Sequence, residues 1–151
     1  MRGLIIKKGL LSLTFFYPED VQCNENMMFT SSIRTGFPSY GDDYVDQKLD
    51  LNRFLIRHPS ATFYVRVKGN SMENTGIRDG DMLIVDRAIN PRNNDIAVCV
   101  INGEYTVKRL KKENGALYLM PENTSYKPIR VLEGADFQVW GIVAYVIHKA
   151  E

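Results

Sequence analysis

Apolar residues fall in two different rhythms along this chain. From Thr62 onward they mark short extended runs separated by turn residues. TFYVRVK (62–68) alternates, DMLIVD (81–86) is a short apolar block, and DIAVCVIN (95–102) and EYTVKRL (104–110) flank Gly103. Asn102-Gly103 between two strand-like runs predicts a two-residue hairpin turn. GALYLMP (115–121) and PIRVL (128–132) follow, and FQVWGIVAYVIH (137–148) closes the pattern, with Gly141 predicting a bulge or bend. Seven or so strands with little helix result.

Upstream the rhythm differs. In DYVDQKLDLNRFLIR (43–57) apolar residues stand at 45, 49, 51, 54 and 55, which predicts one or two short helices. Asp42 or Asp43, and then Asp50, are placed to cap them, and His58-Pro59 ends them. The first 38 or so residues show no sustained period. CNENMMFTSSIRTGFPSYGDD (23–43), with Gly36, Pro38 and Gly41, reads as a turn-rich tether. The expected organisation is therefore an N-terminal arm, 1–38, followed by a β-rich domain, 39–151.

Totals narrow the field only modestly. A chain of 151 residues, 44% hydrophobic and 25% charged, suits one globular domain. With 19 Lys and Arg against 18 Asp and Glu, no net charge draws the whole chain to nucleic acid. The run KRLKK (108–112) is the local exception, read here as a solvated strand end or partner contact rather than a DNA footprint. Cys23 and Cys99 form no CxxC pair and no zinc spacing, and a free thiol in the polar segment around Cys23 fits a reducing cytoplasm. Lys7 and Lys8 split the apolar start, so no secretory signal is expected, and no run reaches the length of a membrane span. No cofactor or metal is expected; Asp79-Gly80-Asp81 reads as a turn and does not fit a calcium loop. Trp140, with Phe137, Val139 and Ile142, suits either core or an interface between copies.

The stretch VRVKGNSMENTGIRDGDMLIVD (65–86) carries the candidate chemistry. Ser71 follows a strand and a glycine, but a serine hydroxyl needs a neighbouring base before it attacks anything. Neither histidine, His58 nor His148, belongs to a nucleophile motif, and no GxSxG elbow exists. A lysine can replace histidine only when uncharged, which burial among apolar groups achieves. Strand alternation puts Thr106, Lys108 and Leu110 on one face of EYTVKRL, so Lys108 is the candidate, against the alternative of an exposed lysine on a half-buried strand.

GNSM (69–72), GIRDGDMLIVDR (76–87) and DIAVCVINGEYTVKRL (95–110) together resemble the LexA/UmuD family of self-cleaving proteins, which use a serine–lysine dyad. GFPSYGDDYVDQKLDLNRFLIRHPSATFYVRVKGNSM (36–72) brings the similarity closer to the UmuD branch. The resemblance implies a curled antiparallel β-sheet catalytic domain with a short helical segment and a flexible N-terminal arm. It implies Ser71 as nucleophile, Lys108 as general base, and an oxyanion hole from the backbone N–H groups of Asn70 and Ser71. The implied cut lies between Thr35 and Gly36, before Phe37-Pro38. Its implied setting is DNA damage: a RecA-type recombinase filament on single-stranded DNA stimulates self-cleavage of a homodimer. The trimmed dimer then assists a UmuC-like polymerase subunit in translesion synthesis. Thr35 departs from the Ala or Cys usual before that glycine. Two other readings stay open: a cleavage-deficient dimeric polymerase adaptor, which Thr35 favours, and a phage- or plasmid-repressor-like regulator with the same dyad.

Overall fold

In the computed structural model the described backbone covers residues 3–7, 12–16, 25–29 and 45–151, with side chains described from residue 49 onward. The chain divides into two compact units, Met1–Glu19 with His58–Glu151, and Asp20–Arg57.

The smaller unit holds strands β3 (Glu25–Phe29) and β4 (Val45–Asp50), paired antiparallel with Asn26 opposite Leu49, and helix α1 (Leu51–Leu55). Asp50 caps that helix as expected: its carboxylate accepts from the amides of Asn52 at 3.0 Å and Arg53 at 3.3 Å. Of the one or two short helices expected within 43–57, one forms, Leu51–Leu55; the expectation is corrected upstream of it, where Val45–Asp50 is strand. A spaced apolar pattern this short does not separate helix from strand; the distant partner β3 decides it. Asp42 and Asp43 lie outside the described residues.

The larger unit is one nine-stranded antiparallel sheet. Its strands are β1 (Gly3–Lys7), β2 (Ser12–Phe16), β5 (Thr62–Arg66), β6 (Met82–Asp86), β7 (Ile96–Ile101), β8 (Glu104–Glu113), β9 (Ala116–Met120), β10 (Ile129–Val131) and β11 (Phe137–Ile147). Their order is β1-β2-β5-β6-β11-β7-β8-β9-β10. From Thr62 onward there are seven strands, at the places the alternation predicts. Strand also forms where the sequence shows no period: β1 and β2 pair with each other, and β2 continues onto β5 with Phe15 opposite Val65. Main-chain hydrogen bonds to an edge supply that order, and they leave no trace in side-chain periodicity. Fold class is thus mainly β with little helix, as expected.

Asn102 (φ 50°) and Gly103 (φ 79°) form the predicted turn between β7 and β8. In β11 the register against β7 shifts between Val139 and Gly141, the predicted irregularity. Successive residues face opposite sides of the sheet, and apolar clusters form on both. Val65, Leu83, Val85, Val98 and Val107 pack with Met72 and Ile77 in one; Ala97, Cys99, Leu110, Leu119 and Ile142 form the other. Each fully buried Val or Leu contributes about 1.5–3 kcal/mol, so the central strands β6, β7 and β8 are a rigid support for what projects from them.

Among the described residues, no helix is long and apolar enough to cross a membrane.

Candidate active site

Ser71 sits in the segment joining β5 to β6, and three features hold that segment in place. Its ends close on each other: the Val67 amide donates to Asp81 O at 2.8 Å and the Gly80 amide to Val67 O at 2.9 Å. The Gly69 amide donates to Asp79 Oδ1 at 2.6 Å, so Asp79-Gly80-Asp81 is a working turn, as the sequence suggests. Met72 and Ile77, 2% and 1% exposed, sink into the core on either side of the short 3-10 turn Glu73–Thr75. The serine is fixed between a buried methionine and a braced glycine.

Lys108 approaches from β8. Its neighbour across the ladder is Ala97 of β7, and Cys99 stands opposite Thr106. A small residue opposite the lysine leaves room for its stem. Only 5% of Lys108 and 8% of Ser71 are exposed. Lys108 Nζ lies 3.0 Å from Ser71 Oγ, 2.9 Å from Thr106 Oγ1 and 2.9 Å from Val107 O. Of the two sequence readings of this lysine, the buried one is therefore what the structure shows.

Burial pushes the Lys108 ammonium down from 10.5 to about 8. A Cys99 thiolate would pull it back up. However, burial holds that thiol up at about 12, so near neutrality no thiolate is present and burial decides the direction. At about 8, the neutral amine is a substantial species at physiological pH. A neutral amine has two hydrogens and one lone pair. Thr106 Oγ1 and Val107 O can accept the two hydrogens, which leaves the lone pair facing the Ser71 hydroxyl.

The nucleophile segment is also gripped from the loop after β9. The Glu122 amide donates to Ser71 O at 2.8 Å, and Glu122 O accepts from the Asn74 amide at 2.8 Å. Asn123 Nδ2 donates to Asn70 O at 2.8 Å, and Tyr126 Oη donates to Asn70 Oδ1 at 2.7 Å. The Glu122 carboxylate in turn pairs with Arg109, the residue after Lys108. A cleft opens beside Ser71, lined by Val67, Gly69, Met72, Tyr105, Thr106 and Val107. Its wall is largely apolar, with Lys68 and the hydroxyl-bearing Tyr105 and Thr106 beside the Ser71 hydroxyl.

Both histidines are engaged elsewhere. His58 Nδ1 lies 2.6 Å from Asp86 Oδ2, and His148 Nδ1 lies 2.7 Å from Asp81 Oδ1, each aspartate being buried. Among the described residues the side-chain partner of the Ser71 hydroxyl is Lys108, not a histidine. Within KRLKK, Arg109 pairs with Glu122 and Lys111 with Glu113, so these two cations already face carboxylates. Trp140 packs against Phe63 (ring centroids 4.9 Å apart) and beneath the Arg87 guanidinium. Among the described residues no group of three His, Cys, Asp or Glu side chains is placed to hold a metal ion. Thr35 and Gly36 lie outside the described residues.

Sequence reasoning gave no role to Thr106, Glu122, Asn123 or Tyr126. Thr106 was detectable, two residues before Lys108 on the same strand face; the others stand in a polar loop whose partner only the tertiary fold reveals.

Known proteins bear on this geometry in two ways. The family described as Peptidase S24-like matches residues 27–144. The chain is also similar to Protein SamA of Salmonella typhimurium strain LT2, 41% identical over 122 residues, covering 81% of this chain and 84% of that one. Similarity to Protein ImpA of Escherichia coli runs at 36% over 143 residues, covering 92% and 97%. With Protein MucA of Escherichia coli it is 39% over 119 residues, covering 78% and 80%.

Proposed function

The chain belongs to the Peptidase S24-like family, and from that premise we propose that it is a serine endopeptidase that cuts its own N-terminal arm. The observation that carries this reading is the buried Lys108 amine 3.0 Å from the Ser71 hydroxyl. Lys108 takes the Ser71 proton as Oγ attacks the carbonyl carbon of Thr35. In this reading backbone N–H groups at Asn70 and Ser71 receive the resulting oxyanion, and backbone donors of this kind cost little reorganisation as charge develops. The lysine returns its proton to the Gly36 nitrogen as the peptide bond breaks. Water, deprotonated by the same amine, then hydrolyses the ester to free Ser71 and a Thr35 carboxylate.

In this reading the chain works as a homodimer in the bacterial response to DNA damage. A RecA-type filament on single-stranded DNA binds the cleavage-competent conformation better than the alternative and so raises its population; it performs no chemistry itself. The shortened dimer then serves a UmuC-like polymerase in synthesis across lesions. The likeness to ImpA and MucA over most of the chain supports this setting.

Thr35 favours one competitor, a dimeric polymerase adaptor that does not cut. A β-branched residue, stiff at χ1, stands where the scissile carbonyl must enter the cleft. Intact mass spectrometry after incubation with a recombinase filament on single-stranded DNA separates the two. Loss of residues 1–35, abolished in Ser71→Ala and in Lys108→Ala, is expected. An uncut chain favours the adaptor, and cleavage persisting in either variant would falsify the dyad.

A further inference from the structure

The loop after β9 touches the nucleophile segment at the atoms that set the direction of its amides. A trans peptide is planar, with the C=O of one residue and the N–H of the next pointing in opposite directions. Fixing Asn70 O therefore aims the Ser71 N–H, and fixing Ser71 O aims the Met72 N–H. Asn123 Nδ2 holds the first carbonyl at 2.8 Å, closer than the Glu73 amide that also donates to it at 3.2 Å, and the Glu122 amide holds the second at 2.8 Å. Tyr126 Oη secures the Asn70 side chain at 2.7 Å, and Glu122 is anchored through Arg109 to the strand that carries Lys108.

We infer that Asn123 and Tyr126 are positioning residues that aim the Ser71 amide at the developing oxyanion. The inference rests on the serine-peptidase reading above. Neither side chain touches the reacting atoms; both act through Asn70. Asn123 plays two separable parts, because its Oδ1 also accepts from the Ser125 amide at 2.9 Å. Asn123→Asp keeps that acceptor and the local turn while losing the donor to Asn70. Tyr126→Phe removes a single hydroxyl.

The test uses the full chain and a fluorophosphonate probe that does not depend on the arm. Ser71 Oγ displaces fluoride from phosphorus, its proton passes to Lys108, and the phosphoryl oxygen occupies the place of the oxyanion. Labelling is measured near pH 9, where Lys108 is already largely neutral and the tyrosine hydroxyl still carries its proton, so a small shift in the lysine cannot imitate the effect. Removing an oxyanion donor outright costs about 10²–10³ in rate; loosening its aim is expected to cost about tenfold in Asn123→Asp and several-fold in Tyr126→Phe. Tyr126→Phe should add nothing in an Asn70→Ala background, a coupling that a merely structural tyrosine would not show. Wild-type labelling that is lost in Ser71→Ala but kept within about twofold in both loop variants overturns the positioning role alone, as does full additivity with Asn70→Ala. A wild type neither labelled nor cut overturns the serine reading and this one with it.

Discussion

Raising the pH should accelerate arm cleavage in the absence of any filament, and the shape of that rise tests whether burial prepares the base. With Lys108 held down at about 8, about one molecule in ten carries the neutral amine at pH 7, against about one in 3,000 for an ordinary lysine near 10.5. The shift corresponds to roughly 3 kcal/mol against the ammonium. Purified protein is incubated between pH 6.5 and 10, and the shortened product is followed by intact mass. If the rate tracks the neutral fraction, it climbs about tenfold from pH 7, passes its midpoint near 8 and levels off above about 9. An unperturbed lysine predicts a rise of several hundredfold that is still climbing at pH 10. A flat profile, or one without a plateau below pH 10, refutes the argument that burial of Lys108 sets the chemistry.

The same burial carries a cost in stability with a defined sign. Between about pH 8 and 10.5 the unfolded chain holds a proton on Lys108 that the folded chain lacks, so folding stability contributed by this group rises with pH across that window. Lys108→Met, which no longer titrates, should therefore show its largest stability advantage over wild type below about pH 8 and lose it toward pH 10.5 in denaturant melts. Thr106→Val removes an acceptor from Lys108 Nζ. Because that hydrogen bond favours the ammonium, the midpoint of the cleavage profile should move lower, while the plateau rate falls about tenfold as the amine loses its aim. Gly141→Ala would place a Cβ 2.6 Å from Val85 Cγ1 and 3.2 Å from Arg87 Cγ. Overpacking at this tightness should lower stability by about 1–3 kcal/mol in a thermal or denaturant melt, with the pH midpoint of cleavage unchanged.

How much of this was legible in the chain varies with how local the determining contact is. Strands β5 to β11 announce themselves as short alternating or apolar runs bounded by turn residues, and Asn102-Gly103 and Gly141 mark a turn and a bulge by their own backbone requirements. Val45–Asp50 misled because its strand partner, Glu25–Phe29, lies well upstream and contributes no local signal. Ser71 and Lys108 stood out by motif and strand parity, yet the strand pattern alone left the lysine's exposure open. What buries it is Ala97 on the neighbouring strand and a serine segment from elsewhere in the chain, neither readable from EYTVKRL. The grip of Asn123 and Tyr126 on Asn70 was less legible still, because it joins two polar loops more than fifty residues apart.

The three partners of Lys108 also explain why the proposed base can both take and return a proton. As an ammonium, the group has three hydrogens for Ser71 Oγ, Thr106 Oγ1 and Val107 O. As an amine, it keeps the last two as acceptors and turns its lone pair to the serine hydroxyl, which becomes the donor. Neither state strands a polar atom, and among the described residues no buried side-chain nitrogen or oxygen lacks a partner. Switching charge therefore breaks no hydrogen bond, and burial is the largest influence on the balance between the two forms. Burial deep enough to drive the lysine far below 8 would leave an amine too weak to hold the serine proton long enough to hand it to the leaving nitrogen. Weaker burial would leave the amine charged and the serine unactivated. A lysine near 8 lies between these limits, close to the pH at which it must work.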